Sequence, residues 1–87
     1  MELLEQDKNI DNLIGHLGSV RGLCQINDQY FASSSFDNTI KIWDINSKQC
    51  INTLTEHQSN VICIIFCDNY LISCSNDKTI KFWKNKI

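Results

Sequence analysis

The sequence predicts an all-β fold made of two copies of one unit of about forty residues. Three observations carry this. First, "FDNTIKIWDI" (Phe36–Ile45) returns as "NDKTIKFWKN" (Asn76–Asn85). Second, matched residues keep a nearly fixed offset. Ile10/Ile51, Leu13/Leu54, His16/His57 and Val20/Val61 lie 41 apart. Tyr30/Tyr70, Ser33/Ser73, Asp37/Asp77, Thr39/Thr79 and Trp43/Trp83 lie 40 apart. Third, the apolar pattern alternates with a period of two, and no segment sustains a helical period.

Each element follows from local pattern. "NIDNLI" (9–14) and its later copy "QCINTL" (49–54) read as strands. "VICIIFC" (Val61–Cys67) is continuously apolar, as expected of a strand covered on both faces. "YFASSS" and "YLISCS" are short strands that follow the turns "NDQ" and "CDN". The single-residue slip in offset falls at those turns, where a turn one residue shorter would account for it. "FDN" and "NDK" then turn the chain into "TIKIW" and "TIKFW", with Ile40 and Ile42 on one face and Lys41 and Trp43 on the other. The boundaries expected are a flexible segment over 1–8, one repeat over 9–47 and a second over 48–87.

Composition excludes several functions. Ten acidic and eight basic residues give a net charge of −2, with no basic stripe to track a phosphate backbone, so no nucleic acid partner is expected. The N-terminus lacks the charged and apolar regions of a secretory signal, and no apolar run approaches the ~20 residues of a membrane span. The five cysteines contain no C-x-x-C pair, so they read as small buried hydrophobes in a reducing compartment, cytoplasm or nucleus. No metal or cofactor is expected.

With Gly15-His16 near the start of a unit and Trp43-Asp44 at its end, the pattern resembles the WD-repeat β-propeller family over roughly residues 9 to 84. The resemblance implies two blades of four-stranded antiparallel sheet in an incomplete, open propeller. It implies a hydrogen-bonded chain across each blade, His16–Ser33–Asp37–Trp43 and His57–Ser73–Asp77–Trp83, with Ser35 and Ser75 as second choices for the hydroxyl. His, Ser and Asp together also suggest a hydrolase triad. That reading is set against the trio's appearing twice, each time ending on a Trp, with no G-x-S-x-G elbow. No catalytic residue is assigned.

Two departures stand out: Glu56 replaces the Gly before His57, where φ > 0 would matter, and Lys84 replaces the closing Asp and is taken as neutral. Sequence units in this family are offset from blades. Residues 19–54 are therefore expected to complete one blade, and 60–83 to supply three strands of another. "NIDNLI" would be the missing fourth strand, at the far end of the chain. Two repeats leave the ring open, so the chain is expected to be a fragment of a larger propeller, or a protomer completed by self-association. A fragment is favoured because neither end carries a capping adaptation.

The family binds proteins and peptides on its rims. By position, the implied binding residues are Arg21, Phe36, Ile62 and Asn76, with Ser19 and Asn60 beside them. The function implied is a non-catalytic protein–protein interaction scaffold or adaptor. The alternatives are a substrate-recognition piece of a ubiquitin-ligase-type complex and an RNA-associated scaffold.

Overall fold

Seven strands in two antiparallel sheets make up the computed structural model, which describes residues 10–84. The segment 1–8 and the residues beyond Lys84 lie outside the described residues. The strands are β1 (Val20–Gln25), β2 (Tyr30–Ser35), β3 (Ile40–Asp44), β4 (Cys50–Leu54), β5 (Val61–Cys67), β6 (Tyr70–Ser75) and β7 (Ile80–Lys84). The first sheet runs β1-β2-β3-β4 and the second β5-β6-β7. Neither sheet closes, and the described residues contain no helix, so none is long and apolar enough to cross a membrane.

Turn chemistry sets each hairpin. Between β1 and β2 the Asn27 carboxamide accepts the Gln29 and Tyr30 N–H groups at 2.8 and 2.9 Å. Between β5 and β6 only Asp68 and Asn69 remain, both at positive φ (51° and 67°). That is the signature of a two-residue type I′ turn, which matches the twist of its flanking strands. The offset slip thus has a different origin from a turn one residue shorter: the turn loses two residues while β5 gains one over β1. Asn38 and Lys78 hold the matching left-handed positions between β2 and β3 and between β6 and β7, at φ 75° and 72°.

Beyond Trp43 the Asp44 carboxylate accepts the Asn46 and Ser47 N–H groups at 2.8 and 2.9 Å, which shapes the turn into β4. Lys84 holds the equivalent place in the second unit, and the residues that follow it lie outside the described residues.

Both inner strands are bulged at the same place. Val20 pairs with Ser35 and Gly22 with Ser34, leaving Arg21 as the extra residue. Val61 pairs with Ser75 and Cys63 with Cys74, leaving Ile62. A bulge re-aims the unpaired side chain and bends the strand.

The core lies between the sheets. Ala32, Ile40 and Ile42 of the first blade pack against Val61, Ile64 and Leu71 of the second. Alternation, shifted by one at the Ile62 bulge, decides this: Val61 and Ile64 both point at the first blade and are 0% and 4% exposed. Their neighbours Cys63, Ile65 and Cys67 point the other way and are exposed. The expectation that "VICIIFC" is covered on both faces is therefore corrected, because only one neighbouring blade is present to cover it.

A second correction concerns "NIDNLI". Residues 10–14 form no strand, and Ile10 and Ile14 stand 70% and 88% exposed. Their counterpart is a strand because β3 offers it an edge, Ile40 pairing with Leu54 and Lys41 with Thr53. Residues 10–14 pair with no strand among those described.

One buried hydroxyl stands out between the blades. Ser34 Oγ has no hydrogen-bond partner among the described residues, and Ser34 is fully buried. An unpaired buried polar group costs roughly 1–3 kcal/mol. Ser34→Ala is expected to stabilise the chain by about 1 kcal/mol, a rise in Tm of roughly 4–8 °C in thermal unfolding. A lower Tm would show that the hydroxyl is satisfied after all.

Candidate functional site

In the first blade a continuous chain of hydrogen bonds runs from the loop before β1 to the end of β3. The Trp43 indole N–H donates to Ser33 Oγ at 2.8 Å. Ser33 in turn meets His16 Nε2 at 2.7 Å, and His16 Nδ1 meets Asp37 Oδ2 at 2.8 Å. The directions are self-consistent when His16 carries its proton on Nδ1: indole to hydroxyl, hydroxyl to imidazole, imidazole to carboxylate. The second blade repeats the chain. Trp83 donates to Ser73 at 2.8 Å, Ser73 lies 2.6 Å from His57 Nε2, and His57 Nδ1 lies 2.8 Å from Asp77.

Ser35 and Ser75 take a different part, each accepting the N–H of the turn aspartate at 3.0 Å. Ser75 also donates to the Ser59 carbonyl.

A threonine in each turn is a further member that reading the sequence for His, Ser, Asp and Trp missed. The Thr39 hydroxyl donates to Asp37 Oδ1 at 2.5 Å and its N–H donates to the same oxygen at 2.9 Å. Thr79 does the same to Asp77. The signal was available, since Thr39 and Thr79 are matched at the 40-residue offset.

Each aspartate thus gathers four donors, the fourth being the N–H of Leu17 or Gln58. Burial pushes the Asp37 carboxyl up, but the bonds from Thr39, His16 and Leu17 outweigh it and hold it well below the usual carboxylate range. For Asp77 the Thr79 hydroxyl is the largest cause in the same downward direction, burial opposing it.

A carboxylate whose pKa is depressed by folding stabilises the fold above its unfolded value, near 3.9, and that contribution is lost as pH falls. The Tm is expected to fall with decreasing pH from about pH 5 downward. Asp37→Asn should flatten that part of the profile, and an unchanged slope would contradict the assignment.

Glu56 does not disturb the second chain. Gly15, its counterpart, is not at positive φ, so that position asks for no glycine freedom. A Cβ on Gly15 would come within 3.3 Å of the Trp43 ring, so what the glycine provides is room.

The remaining residues singled out by sequence gather at one end of each sheet. The Phe36 N–H donates to the Ser19 carbonyl at 2.9 Å, and the Asn76 N–H to the Asn60 carbonyl at 3.0 Å. The bulged Arg21 lays its guanidinium over the Phe36 ring, 4.8 Å from the centroid. The bulged Ile62 holds the corresponding position in the second blade and, like Arg21, Phe36 and Asn76, is exposed.

The model of the WD domain, G-beta repeat, matches residues 7–44 and 48–84. The chain belongs to the WD40 repeat family.

Among curated relatives it is 44% identical over 57 residues to a ribosome biogenesis protein of Debaryomyces hansenii, covering 63% of this chain and 12% of that protein. It is 35% identical over 82 residues to the ubiquitin homeostasis protein lub1 of Schizosaccharomyces pombe, covering 92% of this chain and 11% of that one. The chain therefore spans about a tenth of the length of these relatives. Among solved structures it resembles the computationally designed Ika4 protein, at 33% identity and a TM-score of 0.76. That match covers 86% of this chain and 47% of Ika4. WD40 repeats typically serve non-catalytic roles, and WD40 proteins generally bind other proteins.

Proposed function

We propose that this chain is a non-catalytic protein-interaction module, contributing two blades to a larger propeller that acts as scaffold or adaptor in the cytoplasm or nucleus. The observation that carries this reading is a division of labour among the matched pairs of the repeat. Each His–Ser–Asp–Trp set is consumed in holding its own blade, while the bulged and turn residues beside it face solvent. The Ser–His–Asp distances match those of a hydrolase triad, yet the serines are 3% and 1% exposed and each accepts an indole N–H. A nucleophile has to reach its substrate, and these do not.

Binding falls instead to Arg21 and Phe36 in the first blade and Ile62 and Asn76 in the second, flanked by Ser19 and Asn60. Arg is enriched among residues that dominate interface energetics, and its stacking on Phe36 pre-orders both side chains. The two narrower readings, a ubiquitin-ligase-type recognition piece and an RNA-associated scaffold, gain only the names of relatives matched over a tenth of their length.

Peptides selected from a displayed library against the immobilised chain test this reading. Arg21→Ala with Phe36→Ala is expected to weaken a selected peptide by roughly 30-fold, the effect of a 2 kcal/mol hot spot, with an unchanged circular dichroism spectrum. Peptides indifferent to both this pair and to Ile62→Ala with Asn76→Ala would overturn it.

A further inference from the structure

We propose that Cys63 and Cys74 form a dithiol site inside the second blade, which a small disulfide such as oxidised glutathione converts to an intrachain disulfide and excess thiol restores. The inference goes beyond the binding reading and stands whether or not the rim takes a peptide.

Strand register brings the two thiols together. Cys63 of β5 lies opposite Cys74 of β6, as the first pair beyond the Ile62 bulge. Opposed residues of an antiparallel pair have Cα atoms about 4.5–5.5 Å apart, inside the roughly 4.4–6.8 Å that a disulfide spans. Both side chains leave the sheet on one face, where they line the same hollow as Ile65, Ile72 and Ile80. The two strands belong to one hairpin, closed by Asp68 and Asn69, so the separation is set inside the blade whatever packs against it.

The first blade gauges the fit. The counterparts of Cys63 and Cys74 are Gly22 and Ser34, opposed in the same way beside the Arg21 bulge. A Cβ built on Gly22 would stand 2.7 Å from Ser34 Oγ. The second blade carries that Cβ, with a thiol on it, and a second thiol in place of the hydroxyl. In a disulfide the Cβ of one cysteine and the sulfur of the other are joined through a single atom, so this close approach is what the bond requires.

Spacing along the chain favours other pairs. Cys67 is nearer in sequence to Cys63 and to Cys74 than they are to each other, so an unfolded chain would bridge chiefly to Cys67. In the fold Cys67 lies opposite Tyr70, at the turn end of the hairpin. Burial, and then Cys63, push the Cys24 thiol up, so Cys24 supplies less thiolate to compete.

The exchange balances without a further reagent. One thiolate of the pair attacks a sulfur of the glutathione disulfide, whose S–S bond breaks to release one glutathione thiolate. The second thiolate then attacks the mixed disulfide at the protein sulfur and expels the other glutathione. Two protein thiols are oxidised, one small disulfide is reduced, and the two protons end on the departing glutathiones. An excess of reduced glutathione runs the exchange backwards and keeps the pair open in a reducing compartment.

The test equilibrates the whole chain with graded ratios of oxidised to reduced glutathione, alkylates the remaining thiols and maps the bridges by peptide mass spectrometry. The Cys63–Cys74 bridge is expected to dominate, and to form in equal yield in Cys67→Ser. Cys74→Ser is expected to stop at a glutathione adduct on Cys63. The bridged chain is expected to melt roughly 10 °C above the reduced one.

Bridges made chiefly to Cys67, or a statistical mixture such as an unfolded chain gives, would overturn the proposal. A dominant Cys24–Cys63 bridge would do the same. So would a bridged chain that melts below the reduced one, since the fold would then oppose the bond instead of providing for it.

Discussion

Replacing His57 by alanine is expected to lower the stability of the chain by about 3 kcal/mol, a drop in Tm of roughly 12–24 °C. The imidazole joins two groups that lose their partner together: the Ser73 hydroxyl at 2.6 Å and the Asp77 carboxylate at 2.8 Å. Ser73 is 1% exposed, so water cannot replace what is lost. The damage also reaches the packing between blades, because Trp83, fixed by the same serine, packs on the interblade core. His16→Ala should cost less, since Trp43 is not part of that core cluster. Trp83→Phe keeps a six-membered aromatic ring but removes the indole donor and the five-membered ring that packs on the core, so about 2 kcal/mol is expected. Thermal unfolding of the three variants ranks them, and equal losses for His57→Ala and Trp83→Phe would refute the chain as described.

Gly22→Val is expected to be comparably damaging, at about 3 kcal/mol, for a steric reason. A Cβ at Gly22 would sit 2.7 Å from Ser34 Oγ and 3.6 Å from Ile64. Valine would add two methyl groups at the point where β1 meets β5, and filled interiors do not yield easily to extra volume. Gly22→Ala should be milder and should lose most of its penalty in a Ser34→Ala background, where the nearest contact is gone. A double-mutant cycle in denaturant reads this directly as a coupling between the two sites. Additive effects would mean that the blades separate to accept the side chain.

Repetition makes most of this legible in the sequence. Aligning the chain on itself pairs His16 with His57 and Trp43 with Trp83, and that alone fixes the number of units and the period. Alternation placed Ile40 and Ile42 on one face, and both are buried between the blades.

What escaped the sequence depends on neighbours. "VICIIFC" reads as covered on both faces because its composition fits a complete propeller, whereas one of its faces has no blade against it. "NIDNLI" reads as a strand because its copy is one, but a strand needs an edge to pair with. The bulges at Arg21 and Ile62 left no trace in residue type, since they arise from the register between strands. The threonines were missed for a simpler reason: their hydroxyls act on the aspartate, one step away from the histidine and tryptophan that draw the eye.

Each blade is held by a directed chain from indole to hydroxyl to imidazole to carboxylate. Histidine 15N spectra of the labelled chain at neutral pH test it most directly, because they report which ring nitrogen carries the proton. The Nδ1–H form is expected for both His16 and His57, with the Trp43 and Trp83 indole N–H signals slow to exchange with solvent. Nε2–H or averaged tautomers at both histidines, with rapidly exchanging indoles, would contradict it.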